Sequence, residues 1–162
     1  MRRTVLKNQK IILVSGIPAS GKSTYARWLA SSKRYSHLDV DLAASAGIRL
    51  DVWLESVRQS QKSGVIDWGF PLSCLDTVKR LVSQGVGQWW FDGNHEAAKA
   101  IFLERRKRGE HPAGIDAFAF QMAQIQANYG KIEEVFQARI IHSILPGPTY
   151  LDAESIFDRM GL

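Results

Sequence analysis

The chain has 162 residues with a formal net charge of +5, and 45% of its residues are hydrophobic. This length suits one domain with a sizeable core, and no apolar run approaches the roughly 20 residues that a membrane-spanning helix needs. Cys74 is the only cysteine, which excludes an intrachain disulfide, and we expect a cytoplasmic protein without a signal peptide. The positive charge fits a protein that handles nucleotide phosphates or a nucleic-acid end, and it equally fits a basic surface without a specific role.

The first predicted strand, residues 10–15, leads into a complete phosphate-loop motif. Residues 16–23 match the pattern G-x-x-x-x-G-K-[ST], and a helical pattern follows to residue 32. Glycine at both ends of the loop lets the backbone curl, so that its N–H groups face an anion at the start of a helix. Lys22 is expected to reach the β- and γ-phosphates during catalysis, and the Ser23 hydroxyl is expected to bind Mg²⁺. The predicted nucleotide contacts are Gly16, Pro18, Ala19, Ser20, Gly21, Lys22, Ser23 and Thr24.

The second predicted strand covers residues 35–42 and carries Asp39 and Asp41 at its end. If this strand lies beside the first, its end faces the γ-phosphate, because ligands of open α/β sheets sit beyond the carboxyl ends of the strands. Alternation along a strand points both carboxylates the same way. One of them is expected to accept a proton from an attacking hydroxyl, and the other to hold substrate or the water around Mg²⁺. The alternative is a pair of solvated loop aspartates. A helical pattern follows over residues 43–62.

Two later strands carry an aspartate that fits a metal-binding role. The strand predicted over residues 64–71 contains Asp67, and the strand predicted over residues 86–92 ends in Asp92. A carboxylate after a short apolar strand reaches Mg²⁺ directly or through water in phosphoryl-transfer sites. Asp67 is the candidate metal ligand and also a candidate substrate contact, and Asp92 competes with it for the metal-binding role. The alternative for Asp67 is an aspartate in the turn before Gly69. An amphipathic helix is predicted between the two strands, over residues 72–84.

A helix predicted over residues 95–108 runs into residues 104–112, the densest positive cluster in the chain. Arginines on a mobile flap can close over phosphates, neutralise transition-state charge and exclude water. Arg105, Arg106 and Arg108 are the candidates for this role. The alternative is a solvated basic helix end that its dipole favours.

The last third of the chain is predicted to contain three helical segments and one strand. In order, these are a helix over residues 114–129, a helical continuation over 131–137, a strand over 139–145, a turn out of the sheet over 146–148, and a helix over 152–160 capped by Asp152. Five short strands alternate with helices along the chain. This alternation predicts one α/β domain over residues 1–162 with a parallel sheet.

Five motifs resemble those of a P-loop kinase and together cover most of the chain: GIPASGKST, LDVD, VIDWGF, WWFDGN and FLERRKRGEHP. The last is similar to the lid of polynucleotide-kinase-like and zeta-toxin-like members. The resemblance implies a three-layer α/β/α fold with a five-stranded parallel sheet and a short helical lid at about residues 104–114. It also implies transfer of the γ-phosphate of Mg-ATP to a hydroxyl of a small molecule, nucleotide or nucleic-acid end. The loop at residues 146–149 would lie against adenine.

The same resemblance assigns roles to particular residues. It makes Asp41 the catalytic base and leaves Asp39 as a substrate contact. Of the lid arginines, Arg105 and Arg108 are assigned to catalysis and Arg106 to nucleotide binding, while the one that reaches phosphate stays open.

Two other functions fit the sequence. The first is a non-catalytic ATP-binding switch or interaction module, although the N-K-x-D motif that GTPase-type switches use to read the base is absent. The second is a nucleic-acid-binding protein that holds strand ends with the basic lid and exposed aromatic residues.

Overall fold

The computed structural model describes residues 8–69, 74–110 and 114–162. The described part contains six strands and eight helices. In chain order they are β1 (Ile11–Gly16), α1 (Lys22–Ser32), β2 (Ser36–Asp39), α2 (Val40–Ser45), α3 (Leu50–Ser60), β3 (Gly64–Asp67), α4 (Leu75–Ser83), β4 (Gly87–Gly93), α5 (His95–Lys107), α6 (Ile115–Ala127), α7 (Tyr129–Phe136), β5 (Ile140–Leu145), β6 (Thr149–Tyr150) and α8 (Ala153–Met160).

The strands form one sheet in the order β2-β3-β1-β4-β5-β6. The pairs among β1 to β5 are all parallel, which confirms the predicted α/β fold with a parallel sheet. The sixth strand was not predicted. Instead of leading out of the sheet, residues 146–148 form a turn that brings the chain back antiparallel to β5, with Ile144 opposite Tyr150.

The central strand β1 is buried on both faces and contributes to two cores. Leu13 packs into the larger core with residues of α3 to α7, and Val14 packs into the smaller core with residues of α1 and α8. Both side chains have no exposed surface, and burial of such a side chain contributes about 1.5–3 kcal/mol. Helices therefore cover both faces of the sheet, which explains why β1 reads as a continuous apolar run.

The prediction that the second strand extends to residue 42 is wrong. Strand β2 ends at Asp39, because the Asp39 Oδ1 atom accepts a hydrogen bond from the Leu42 N–H at 3.1 Å and caps α2. Asp41 therefore lies in the first turn of a helix, and strand alternation does not set its direction. The condition considered for the second strand, that it lies beside the first, is not met, because β3 lies between β2 and β1.

Two other predicted boundaries change. The helical pattern over residues 43–62 divides into α2 and α3, since α2 ends at Ser45 and α3 starts at Leu50. The strand predicted over residues 64–71 ends at Asp67. Phe70, Pro71 and Leu72, which were assigned to the third strand and the following helix, lie outside the described residues.

None of the helices in the described ranges combines the length and the apolar character needed to cross a membrane.

Candidate active site

The phosphate loop starts where β1 approaches β4 too closely for a side chain. At Gly16 φ is +154°, and a Cβ atom built there would lie 2.1 Å from the Phe91 carbonyl oxygen. The next residue, Ile17, donates its N–H to the same oxygen at 3.0 Å. Glycine at position 16 is therefore a packing requirement at the start of the loop.

Two side chains from distant parts of the chain hold the loop backbone. The Tyr150 hydroxyl donates to the Ala19 carbonyl oxygen at 2.7 Å, and the Ser143 hydroxyl donates to the Ser20 carbonyl oxygen at 2.7 Å. Ala19 has φ of +61°, and Gly21, which precedes α1, has φ of +82°. Left-handed residues next to right-handed ones turn successive N–H groups towards one point, which makes an anion-binding concavity.

Lys22 is partly buried and bonded to the loop itself. Its Nζ atom donates to the Ile17 carbonyl oxygen at 2.9 Å. Burial lowers the pKa of Lys22 to about 8, although the charges on Asp67 and Asp41 oppose this change. A buried ammonium ion of this kind gains from an anionic ligand, because phosphate charge offsets its desolvation.

The loop forms one wall of a cleft of about 330 Å³. We call residues 18–24 together with Arg105 the phosphate side, and we call the remaining lining residues the carboxylate side. The carboxylate side consists of Asp39, Asp41, Asp67, Gly69 and Gln121. Most predicted site residues thus meet in one cleft, whereas Gly16, Arg106 and Arg108 are outside its lining.

The carboxylates meet because of strand register and a helix cap. Asp39 pairs with Asp67 in the β2–β3 register, and Asp41 follows in α2. The Asp41 Oδ2 atom lies 3.1 Å from the position of a Cβ atom built on Gly69. Desolvation raises the pKa of Asp41, and the negative charges of Asp39 and Asp67 raise it further. A carboxylate with a raised pKa is a better proton acceptor.

The structure separates the two aspartates that the sequence left in competition. Asp92 accepts hydrogen bonds from the Trp90 indole at 3.3 Å, the Gly93 N–H at 2.9 Å and the Tyr129 hydroxyl at 3.1 Å. It does not line the cleft. Asp67 lines the cleft, is only 3% exposed, and has an Oδ2 atom that finds no hydrogen-bond partner among the described residues. The His37 Nε2 atom lies 3.6 Å from this oxygen.

Asp67 and Ser23 fit the requirements of a magnesium site. Mg²⁺ in nucleotide sites binds one or two protein oxygens and completes its shell with phosphates and water. The unpartnered Asp67 oxygen and the Ser23 hydroxyl line the same cleft. Within the described ranges, no group of three or more His, Cys, Asp or Glu residues is arranged to hold a metal by itself.

Comparison with solved structures identifies the fold. A shikimate kinase from Bacteroides thetaiotaomicron aligns with a TM-score of 0.58 at 12% identity, over 94% of this chain and 99% of that chain. A gluconokinase from Sinorhizobium meliloti 1021 aligns with a TM-score of 0.53 at 17% identity, over 93% of this chain and 88% of that chain. The chain has a P-loop kinase-like fold. It matches no protein-family model and no curated protein sequence.

In this P-loop kinase-like fold the basic segment begins in the last turn of α5. Arg105 lines the cleft, whereas Arg108 pairs with Glu110 at 3.3 Å and is exposed. Arg105 also faces Glu110, at 3.8 Å. Arg106 is exposed and lies in the last turn of α5. The catalytic and binding roles of these arginines stay predictions, and part of the predicted lid, residues 111–113, lies outside the described residues.

A second, apolar pocket adjoins the phosphate loop. It has a volume of about 170 Å³ and lies between α1 and the β6–α8 segment. Trp28, Tyr150 and Leu151 are among its lining residues, and it shares Ser20, Gly21 and Thr24 with the cleft. None of residues 146–149, which the sequence assigned to adenine, lines this pocket.

Two cleft residues were not predicted. Gly69 follows β3 and carries no chemical signal of its own, although its neighbour Asp67 was singled out. Gln121 lies on α6, one residue before Met122 on the predicted core face, and only the packing of that helix brings it to the cleft. No local pattern distinguishes it from the other glutamines of α6.

Proposed function

We propose that this protein is an ATP-dependent phosphotransferase that moves the γ-phosphate of Mg-ATP to a hydroxyl acceptor. The observation that carries the proposal is the cleft itself, which brings together Lys22 of the phosphate loop and the Asp41 carboxylate, for which the described residues give no hydrogen bond or ion pair. A phosphate-binding wall and a carboxylate with a raised pKa in the same cleft are what in-line transfer to a hydroxyl requires. The P-loop kinase-like fold supports the same reaction class.

Each group has a role in this proposal. The loop N–H groups and Lys22 hold the phosphates, and Arg105 adds positive charge beside them. Asp41 orients the acceptor hydroxyl and takes its proton as the oxygen attacks. Ser23 and Asp67 would hold Mg²⁺, which neutralises charge on the phosphates when it is bound.

The apolar pocket between α1 and the β6–α8 segment would hold the adenine ring. Trp28 and Tyr150 offer aromatic surface, and the shared residue Gly21 connects this pocket to the phosphate side. A flat base gains from such surface by stacking and apolar burial. Small molecules, nucleotides and the nucleic-acid end suggested by the lid all belong in the first screen of acceptors. A cytoplasmic location stays a prediction.

The test is a transfer assay with γ-labelled ATP and Mg²⁺. The acceptors are nucleosides, sugars, amino sugars and 5′-hydroxyl oligonucleotides, and Lys22→Ala is compared with Lys79→Ala, which removes an exposed lysine of α4. We expect label on one acceptor class with the wild-type and Lys79→Ala proteins, and none with Lys22→Ala. Tight ATP binding without transfer to any acceptor would contradict the proposal. It would then favour a non-catalytic ATP switch, especially if a partner protein binds only in the presence of ATP.

A further inference from the structure

Tyr150 contacts the phosphate loop and also forms part of the wall of the apolar pocket. Its hydroxyl donates to the Ala19 carbonyl oxygen at 2.7 Å. Its ring lies against Gly21, since a Cβ atom built on that glycine would lie 3.2 Å from Tyr150 Cε1. The same side chain lines the apolar pocket of about 170 Å³. One side chain therefore touches the loop at two points and borders the space proposed for the base.

The other support of the loop offers a ligand almost no surface. Ser143 donates to the Ser20 carbonyl oxygen at 2.7 Å and is only 1% exposed, whereas Tyr150 is 45% exposed. An aromatic ring with free surface can stack on a flat base while its hydroxyl keeps a hydrogen bond elsewhere. Of the two supports, Tyr150 is therefore the one that a bound base can cover.

The strand that carries Tyr150 is a short one at the edge of the sheet. Strand β6 contains two residues, Thr149 and Tyr150, both exposed, and lies next to β5. Such a strand opens more easily than the central strands, and water competes for an exposed hydrogen bond. Burial raises the pKa of Tyr150, so its hydroxyl stays protonated and can donate at neutral pH. A base that covers the ring would exclude water and hold this hydroxyl on the loop.

The contacts of Tyr150 fall on the residues that shape the loop. Ala19 and Gly21 have φ of +61° and +82°, and residues of this conformation turn neighbouring N–H groups towards one point. A fixed Ala19 carbonyl keeps those N–H groups in position for an anion, which is preorganisation of the site. Whatever stabilises the Tyr150 contact should therefore favour phosphate binding, and bound phosphate should favour the contact in return.

We infer, on the basis of the nucleotide binding proposed above, that Tyr150 is a positioning residue that couples binding of the base to binding of the phosphates. A base on its ring and phosphates in the loop stabilise the same hydrogen bond to Ala19. Each part of the nucleotide therefore raises the affinity for the other part, because binding linkage is reciprocal. The protein would thereby favour complete nucleotides over phosphate compounds that lack a base, for which the loop is only partly supported.

The test divides ATP into two separate ligands, adenosine and tripolyphosphate. Calorimetric titration in the presence of Mg²⁺ measures the affinity for tripolyphosphate with and without adenosine, and ligand-observed NMR measures adenosine binding. We expect adenosine to raise the affinity of the wild-type protein for tripolyphosphate by about 3- to 10-fold, which is the size of effect that one hydrogen bond gives. A residue that only stabilised the fold would produce no such gain.

Two variants separate coupling from simple support of the loop. Tyr150→Phe keeps the ring, so adenosine affinity should change by less than about twofold, whereas the gain in tripolyphosphate affinity should disappear. Ser143→Ala removes the other support without altering the exposed ring. It should weaken tripolyphosphate binding by about 2- to 5-fold and still show the gain with adenosine.

The inference and the proposed phosphotransfer can fail separately. A wild-type protein that binds neither ligand or shows no gain, an equal gain in Tyr150→Phe, or a gain that is lost in Ser143→Ala would overturn the coupling. Transfer of labelled phosphate from ATP by a protein without the gain would overturn the coupling and support the phosphotransferase. If the gain depends on the Tyr150 hydroxyl and no acceptor takes up phosphate, the coupling holds and the proposed phosphotransfer fails.

Discussion

The two sides of the cleft differ in how completely the protein satisfies its own polar groups. On the phosphate side, the loop carbonyls accept bonds from Ser143, Tyr150 and Lys22, so the loop is held before any ligand binds. On the carboxylate side, the buried Asp67 Oδ2 atom has no hydrogen-bond partner within the described part of the chain. The difference indicates that the phosphate side is preorganised for binding, whereas the polar groups of the carboxylate side gain their full set of partners only when ligands bind.

The largest effect is expected from Asp41→Asn, which removes the proposed base and keeps its shape. Transfer should fall by about 100- to 10,000-fold in kcat, because general base catalysis supplies a factor of that size. ATP affinity should change little, since the phosphate side is intact. Steady-state kinetics and calorimetric titration with ATP measure the two quantities. Transfer at a near wild-type rate would show that Asp41 is not the base.

A smaller effect is expected from Gly69→Ala. The added Cβ atom would lie 3.1 Å from Asp41 Oδ2, so the carboxylate must shift by a few tenths of an ångström. We expect kcat to fall by about 10-fold, because small displacements of a catalytic group are costly, and ATP affinity to be unchanged. Gly130→Ala on α7, where a Cβ atom meets nothing within 4 Å, is the matched control. Equal kcat values for Gly69→Ala and Gly130→Ala would contradict a contact between the Cβ atom added at position 69 and the Asp41 carboxylate.

The pH dependence of ATP binding tests the phosphate side. The pKa of Lys22 is about 8 in the folded protein, and phosphate should raise it, so binding above pH 8 takes up a proton. Affinity should therefore fall as pH rises through 8, by up to about 10-fold per pH unit. Calorimetry in buffers of different ionisation enthalpy measures the uptake. At pH 9 it should approach one proton for the wild type and vanish in Lys22→Ala; no uptake by the wild type would contradict the role of Lys22.

The same pKa has a consequence for stability without ligand. Because burial depresses the pKa of Lys22 below its ordinary value of 10.5, the unfolded chain binds more protons than the folded chain between pH 8 and 10.5. The contribution of this residue to the free energy of unfolding should therefore rise across that window, and Lys22→Ala should lack the rise.

The smallest effect is expected from Ser143→Ala. It removes the hydrogen bonds to the carbonyl oxygens of Ser20 and Asp92 in a buried site, which should lower the free energy of unfolding by about 1–2 kcal/mol. ATP affinity should weaken a few-fold, since the loop is less well held. Denaturant titration with and without ATP measures both. Ser83→Ala, an exposed serine at the end of α4, is the control, and equal unfolding midpoints in the two variants would contradict a support role.

The parts of the molecule that the sequence predicted well are those whose signals are local. The phosphate loop, the alternation of strands and helices, and the Asp152 cap depend on neighbouring residues, and the structure contains each of them. Strand β6 was missed because two residues carry no periodic pattern, and its pairing depends on a turn. The position of β3 between β1 and β2 was missed for a similar reason, since chain order does not set strand order.

Within the site, the sequence identified the right residue types and could not separate their roles. Asp67 and Asp92 both follow apolar residues, and only tertiary neighbours distinguish them. The Asp92 carboxylate accepts hydrogen bonds from Trp90 and Tyr129, whereas Asp67 lines the cleft. Asp41 was placed in the cleft for a wrong geometric reason, because a helix cap rather than strand alternation directs the chain there.

The two hydroxyl groups that support the phosphate loop come from residues 123 and 131 positions later in the chain than their acceptors. During translation the loop is therefore synthesised long before Ser143 and Tyr150. Until those residues are synthesised, two carbonyl groups of the loop backbone lack these hydrogen bonds. A chain stopped before residue 143 would lack both supports, so nucleotide binding should be acquired only after the last strands of this sheet have been synthesised.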